Sequence, residues 1–486
     1  MPAVKERPKP FVFPEYCKGC GRCISACPKH CISLGTEINP LTGQVPVLLD
    51  LEQCNGCGLC FTACPEPYGL QPQLDGYDYE LQDPAVLFGE RHTTAPEPQD
   101  LPDQIIPLPE LQPLVIKGTY ASTIGALLAG CRHFFGYPIT PSTEGAELMA
   151  KLLPKLNGHF VQAVSEVATV NMMYGCGGAG MRCMTFTSSP GFSLMLEGIS
   201  YMIGAEVPGV FVNIMRGGPG LGNIAPEQSD IKLACRGLGH GNTHAITLAP
   251  ATPQEMLDMT MLAFELAFKY RNPVVILGDG FLGQMTGKVQ LPRQMIQPGL
   301  PAWAVHGDAM HRRNLICSIE LNEADLERHN LHLNEKYERM RHHEQRAEAF
   351  HCDDAEIVVI ACNTPSQMAK GAVQALRRQG LQVGLFRPLS LWPFPIHLMK
   401  PFWRSHQRFV VVEASNGQLE DEFRLAWSHA GMGATPRIDH VRHFGGVLPQ
   451  LQEIMDKVVG LASDGPGSNN NGRSNNKSYD RQSMST

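Results

Sequence analysis

The sequence has no run of about 18 consecutive apolar residues, so nothing in it reads as a helix that crosses a bilayer. It has no basic excess either. The 40 Lys+Arg against 47 Asp+Glu leave a net charge of −7, and with a pI near 6.2 this argues against a nucleic-acid or polybasic membrane surface. Residues 1–10 carry Lys5, Arg7 and Lys9 but no apolar h-region, so no secretory signal is expected there and the location expected is cytoplasmic. With those classes set aside, 486 residues at 43% hydrophobic content are enough for about three domains with real cores.

Cysteine is abundant, and its spacing does not read as disulfides. Cys17-x2-Cys20-x2-Cys23-x3-Cys27-Pro28 is repeated as Cys54-x2-Cys57-x2-Cys60-x3-Cys64-Pro65. In such paired runs the fourth cysteine ligates the other cluster. Cys17, Cys20, Cys23 and Cys64 are therefore assigned to one [4Fe–4S] cluster, and Cys54, Cys57, Cys60 and Cys27 to a second. A pair of zinc knuckles would also use Cys-x2-Cys pairs, but a twice-repeated four-cysteine run ending in proline is not their pattern. Cys31 is a ninth cysteine beside the first run and reads as an unligated neighbour. Residues 1–75 are taken as a ferredoxin-like α+β domain. Prolines at 67, 72, 84, 96, 98, 102, 107, 109 and 113 break periodicity between residues 65 and 113, and residues 76–113 are read as an extended, proline-stiffened tether.

From residue 114 to 296, apolar strands alternate with helical patterns, which is the signature of a parallel sheet covered on both faces. Residues 120–135 have helical spacing. Phe160–Val164, Met184–Thr187, Val210–Met215, Ile246–Leu248 and Pro273–Leu277 read as strands. Three of them run into polar or Gly/Pro-rich loops: Ser165-Glu166, Ser188-Ser189-Pro190-Gly191, and Arg216-Gly217-Gly218-Pro219-Gly220. Pro138 and Pro141 hold Thr140 on a stiff, extended segment. Ligands of open α/β sheets sit at the carboxyl ends of strands, so a hydroxyl, an acid and an arginine converging there would make a site.

The segments Tyr137–Pro141, Ser165-Glu166, Thr187–Gly191 and Met215–Gly222, in that order, resemble the alpha subunit of 2-oxoacid:ferredoxin oxidoreductases. Met215–Gln228 and Gly239–Asn242 are most similar to the branched-chain type. The resemblance runs from about Leu114 to Val459. It implies a thiamine diphosphate-dependent enzyme with a pyrimidine-type domain, followed by a C-terminal α/β domain over residues 355–462. Glu166 would act on the cofactor's aminopyrimidine, Ser188 and Ser189 would contact the cofactor, and Arg216 and Thr140 would hold the 2-oxoacid. It further implies a beta subunit that carries the diphosphate and Mg2+, a gamma subunit, ferredoxin as electron acceptor and coenzyme A as co-substrate. The same chemistry on 2-oxoglutarate or another 2-oxoacid is one alternative. A non-catalytic electron-transfer subunit is another, although Thr140, Glu166 and Arg216 are all present.

Two strings are read as decoys. Gly175–Gly180 matches a dinucleotide fingerprint, but a helix rather than a strand precedes it. Gly278-Asp279-Gly280 opens like the magnesium–diphosphate motif, yet no Asn follows until Asn314, so the Mg2+ site is expected on a partner. Glu166 alone could merely be a helix-start charge. Residues 297–354 read as a linker with one helix, in which Leu326, Leu333, Tyr337 and Met340 share a face and His329, His332, His342 and His343 face solvent. The Gly/Asn/Ser-rich residues 463–486 read as a disordered tail.

Overall fold

The computed structural model describes residues 7–39, 42–73, 97–308, 310–311, 314–404, 407–434 and 436–463. The sequence-based expectations for the first part of the tether and for the tail beyond Ser463 lie outside these residues.

The N-terminal part has internal twofold character that mirrors its repeated cysteines. Two short helices, Arg22–Ala26 and Leu59–Ala63, are each entered from a glycine with positive φ, Gly21 at 73° and Gly58 at 81°. Two antiparallel ribbons frame them, Pro10–Val12 with Leu70–Pro72 and Ile32–Leu34 with Val47–Leu49. This module touches the rest of the protein where Arg22 bonds the Leu321 carbonyl and pairs with Glu323, 3.2 Å away.

The central sheet has seven strands in the spatial order Ser390–Trp392, Ile246–Leu248, Pro273–Asp279, Gly209–Met215, Cys183–Thr187, His133–Gly136 and His159–Gln162. All neighbours are parallel except the first pair. Gly209–Met215 and Pro273–Asp279 are buried along their whole length, as a doubly covered sheet requires. One expectation is corrected here. The helix expected over 120–135 runs only over Gly118–Leu128, because Gly130 turns the chain at φ 85°. This frees His133–Gly136 to become a strand.

The C-terminal sheet runs Ala347–Phe350, Val383–Pro388, Ile357–Ile360, Arg408–Glu413 and Ile438–Arg442, with only the first strand antiparallel. Two boundaries therefore shift. Ala347–Phe350, placed in the linker by sequence, belongs to this sheet. Ser390–Trp392, from the C-terminal segment, completes the central one. The expected tether also folds in its second half, where Gln104–Pro107 pairs with Gln294–Gln297. Prolines are tolerated there because the pairing is a two-stranded edge, with Pro107 at its end.

The two sheets share one apolar core that runs from Phe134 and Phe186 through Trp392 to Phe409 and Trp427. The crevice at the switch point of the C-terminal sheet, after Ile360 and Glu413, is filled by the central domain. Gln228 Nε2 donates to the Cys362 carbonyl at 3.2 Å and to Asn363 Oδ1 at 3.1 Å, and its Oε1 accepts from the Ala414 N–H at 2.7 Å. In the helix Glu323–His343, Leu333, Tyr337 and Met340 are buried as expected. Leu326 is exposed. His329 is half-buried and bonds the Gly204 carbonyl at 2.6 Å, so it anchors the helix, whereas His332 is exposed as expected and meets Glu206 at 3.1 Å from the solvent side.

Candidate active site and cluster sites

Four neighbouring strands of the central sheet deliver the candidate residues at their carboxyl ends. Thr140 follows His133–Gly136, Glu166 follows His159–Gln162, Ser188 and Ser189 follow Cys183–Thr187, and Arg216 follows Gly209–Met215. The chain reverses its direction of travel across the sheet between the first and third of these strands, which is where open α/β sheets bind ligands.

Glu166 opens the helix Glu166–Gly178, whose N-cap Ser165 accepts from the Ala168 N–H at 3.2 Å. Only 5% of Glu166 is exposed. Its carboxylate lies against the start of the next helix, Ser189–Gly204. A Cβ added at Gly191 would stand 2.5 Å from Glu166 Oε1 and 2.4 Å from Thr187 Oγ1, so only glycine fits there. The Thr187 and Ser188 hydroxyls are buried and have no hydrogen-bond partner. Unpaired buried hydroxyls are costly unless something satisfies them. A buried acid beside two unsatisfied hydroxyls suits a polar heterocycle such as an aminopyrimidine. The sequence contained Thr187 and Gly191 within the motif but did not single them out.

Arg216 is 8% exposed, so it is less open than Gly217 and Gly218 imply. Its Nη1 donates to the Thr140 carbonyl at 2.8 Å, its Nη2 to the Leu221 carbonyl at 3.2 Å, and its Nε is buried without a partner. Thr140 and Arg216 are thus brought together, but through the Thr140 backbone; the Thr140 side chain is exposed. Three of the five guanidinium N–H donors remain for a ligand.

Ser189 takes a different place from Ser188. Its hydroxyl donates to Asp230 Oδ2 at 2.5 Å and accepts from the Arg216 N–H at 3.1 Å. Asn213 also donates to Asp230 Oδ2, at 2.9 Å. Burial lifts the Asp230 carboxyl above the usual range, against the pull of the Ser189, Asn213 and Ser229 bonds. Ser189 therefore supports the arginine loop, with Asp230 behind it.

Asp279 is fully buried. It accepts from the Phe281 and Leu282 N–H groups at 3.1 and 2.9 Å and from the Thr364 N–H and hydroxyl at 2.9 and 2.8 Å. It caps a helix and ties the two sheets together. Those four bonds are why Gly278-Asp279-Gly280 is a structural motif here.

In the N-terminal module, burial and the neighbouring Cys17, Cys20 and Cys64 raise the Cys23 thiol to about 12, so these four cysteines are near neighbours. Cys27, Cys54, Cys57 and Cys60 line a second cavity, and Cys31 lines it with them. Gly19 and Gly56 have no room for a side chain. A Cβ on Gly19 would fall 2.0 Å from the Val45 carbonyl, and one on Gly56 would fall 2.8 Å from Arg7. Both sets fit thiolate ligation of four-iron clusters, each completed by the other run's fourth cysteine.

Comparison with known proteins agrees with this geometry. Residues 16–67 match the 4Fe-4S dicluster domain. Residues 124–349 match the thiamine diphosphate-binding domain of pyruvate flavodoxin/ferredoxin oxidoreductase, and residues 355–454 match the pyruvate:ferredoxin oxidoreductase core domain II. The chain is 44% identical over 352 residues to the ketoisovalerate oxidoreductase subunit VorB of Methanothermobacter thermautotrophicus, covering 72% of this chain and 98% of that protein. It is 34% identical to the 2-oxoglutarate synthase subunit KorA of Methanocaldococcus jannaschii, over 71% of this chain and 99% of that one. Among solved structures, it resembles a 2-oxoglutarate:ferredoxin oxidoreductase from Magnetococcus marinus with 2-oxoglutarate, coenzyme A and succinyl-CoA bound, at TM-score 0.65 and 27% identity. That match covers 72% of this chain and spans 65% of the solved chain's length. With a dicluster iron–sulfur domain joined to a thiamine diphosphate-binding domain, this chain belongs to the family of 2-oxoacid:ferredoxin oxidoreductase subunits.

Proposed function

We propose that this chain works in an enzyme that oxidatively decarboxylates a branched-chain 2-oxoacid to its acyl-CoA and passes the electrons through two [4Fe–4S] clusters to ferredoxin. The observation that carries the reading is the buried Glu166 carboxylate, which meets the unsatisfied Thr187 hydroxyl around Gly191, with the Ser188 hydroxyl also buried and unpartnered. When bound, thiamine diphosphate supplies the nucleophilic carbon for a 2-oxo group and the electron sink for loss of CO2. Glu166 would meet the aminopyrimidine edge with its buried carboxyl, and the low-dielectric surroundings would strengthen that hydrogen bond. The Thr187 and Ser188 hydroxyls would be available to hold the ring. Arg216, held by two carbonyls, presents its remaining N–H groups to the substrate carboxylate in a planar fork. Thr140, exposed at the same edge, offers a hydroxyl to the same substrate.

The site is open on one side. Val164, Leu221 and Ile224, exposed by 88%, 81% and 62%, surround the Glu166 and Arg216 loops. A contiguous exposed apolar patch marks a protein interface, and these three residues are the reason to propose one here. It supports a beta subunit that closes the site and brings the diphosphate and Mg2+, with a gamma subunit and ferredoxin completing the assembly. The branched-chain preference rests on the greater identity to the ketoisovalerate relative than to the 2-oxoglutarate ones.

The test is to purify the chain with its partner subunits and measure reduction of a viologen dye with 3-methyl-2-oxobutanoate, 2-oxoglutarate and pyruvate. The branched substrate should have the highest kcat/KM. Glu166→Gln should keep the cofactor bound but lower kcat by about 10²–10⁴, the usual worth of a positioned acid–base group. A preference for 2-oxoglutarate would overturn the substrate, and full activity of Glu166→Gln would overturn the site.

A further inference from the structure

Arg216 stands one residue beyond the ladders of the central sheet. Cys183–Thr187 pairs with Gly209–Met215 only as far as Asn213, and Pro273–Asp279 only as far as Met215. The Arg216 backbone N–H and carbonyl therefore have no partner in the sheet, and buried backbone groups need one. Two serine hydroxyls supply it. The Arg216 N–H donates to Ser189 Oγ at 3.1 Å, and the Arg216 carbonyl accepts from Ser229 Oγ at 2.9 Å. The main chain of the arginine is gripped on both sides.

Each hydroxyl has one proton to give, and Asp230 directs the Ser189 one. Ser189 Oγ accepts from the Arg216 N–H and donates to Asp230 Oδ2 at 2.5 Å, the oxygen that also accepts from Asn213 Nδ2 at 2.9 Å. Asp230 Oδ1 faces Ser229 Oγ at 3.4 Å. The segment that carries Ser229 and Asp230 is fixed in turn from the C-terminal domain. The Gln228 N–H donates to the Ala414 carbonyl at 2.7 Å, and Gln418 Nε2 donates to the Ser229 carbonyl at 2.7 Å. Gln418 opens the helix Gln418–His429, and its Oε1 accepts from the Lys232 N–H at 2.9 Å. A path of hydrogen bonds therefore leads from the C-terminal domain, through residues 228–230, to Arg216.

We propose that Asp230 and Gln418 are positioning residues for 2-oxoacid binding: Gln418 pins residues 228–230 to the C-terminal domain, and Asp230, through Ser189 and Ser229, sets where Arg216 presents its guanidinium. This rests on the proposed role of Arg216 at the substrate carboxylate. A planar fork binds a carboxylate well only when it is correctly aimed, so a loosened Arg216 backbone weakens the contact. The bonds, not the charge, carry the effect. In Asp230→Asn the amide oxygen can take the place of Oδ2 and still accept from Ser189 and Asn213, while the amide N–H2 group faces Ser229 Oγ. In Asp230→Ala the buried Ser189 and Asn213 donors lose their acceptor.

The experiment measures KM and kcat of the complex assembled with its partner subunits, on the 2-oxoacid that it turns over best. Asp230→Ala should raise KM about tenfold or more, as loss of an acceptor for buried donors does, with kcat and thiamine diphosphate content near those of the wild type. Asp230→Asn should bring KM back to within about twofold of the wild type. Gln418→Ala, at a half-buried position, should raise KM about threefold or more, and it carries the test if Asp230→Ala does not assemble. In an Arg216→Leu background neither alanine variant should raise KM by more than about a further twofold, because residues that act only through Arg216 have nothing left to act on. Wild-type KM in Gln418→Ala, no rescue by Asp230→Asn, or an undiminished effect in the Arg216→Leu background would each overturn the inference and leave the proposed function standing. Wild-type KM in Arg216→Leu itself would overturn the proposed role of that arginine and this inference with it.

Discussion

At the scale of single residues, Arg216 combines two tasks that the sequence presented as one. It holds the Thr140 and Leu221 carbonyls, and under the proposed function the rest of its fork meets the 2-oxoacid. Replacing it by Leu removes a charge-assisted contact worth about 1.5–3 kcal/mol, so KM for the 2-oxoacid should rise roughly ten- to a hundredfold. Arg216→Lys keeps the charge without the fork and should fall between. Cofactor content of the purified complex should stay near that of the wild type in both. If cofactor is lost in step with the rise in KM, Arg216 is a loop anchor and nothing more. The sequence could identify this arginine but not its partners. Which groups its N–H donors meet depends on a loop, Gly217–Asn223, that folds back on Gly217 through backbone bonds. The same limit separates Ser188 from Ser189. Adjacent in sequence, one has a buried hydroxyl with no partner and the other is tied to Asp230.

At the scale of elements, the buried strands were legible because a doubly covered parallel sheet writes itself as long apolar runs. His133–Gly136 was not, since Gly130 ends a helix inside a stretch that keeps helical spacing. Ser390–Trp392 was not, because crossing to another domain's sheet leaves no local pattern. The seam between the sheets holds two buried carboxylates, Asp279 and Glu413. Burial raises the Glu413 carboxyl to about 7, against the bonds it accepts from Ser415 and the Leu419 N–H. Its other oxygen has no partner. An acid raised on folding keeps its proton while the unfolded chain has already lost its own. Below the unfolded value near 4.5 this group contributes no pH dependence. Stability should then fall as pH rises from about 4.5 to about 7, and level off above. Glu413→Gln keeps an oxygen for both donors and removes the titration, so the difference in melting temperature between pH 5.5 and pH 8.5 should shrink. Asp279→Asn should instead destabilise the chain at both pH values, because an amide cannot accept all four bonds. A larger pH difference in Glu413→Gln would refute the charge assignment at the seam.

At the scale of the molecule, the proposed function divides the site between this chain and a partner subunit. Two features motivate that proposal: the exposed Val164, Leu221 and Ile224 on the Glu166 and Arg216 loops, and an Asp279 that accepts four bonds joining the two sheets. The dicluster module is attached through Arg22 and Ser25 to the start of the helix Glu323–His343, a contact among exposed side chains. Under the proposed function this module is the carrier that takes electrons from the larger body and offers them to the acceptor. Two consequences can be measured on one anaerobic preparation. Iron analysis should give about eight irons per chain, from two four-iron clusters, and zinc in place of iron would refute the cluster assignment. The isolated chain, clusters intact, should bind thiamine diphosphate weakly and reduce no dye with any 2-oxoacid. Adding the partner subunits should restore both binding and turnover, since the diphosphate and Mg2+ then have their half of the site. Chelating iron from that complex should stop electron delivery to ferredoxin while leaving thiamine diphosphate bound, because Glu166 and the clusters belong to separately folded parts of the chain. Unaided turnover by the isolated chain would mean that the whole site lies within it, and the division between two subunits would have to be abandoned.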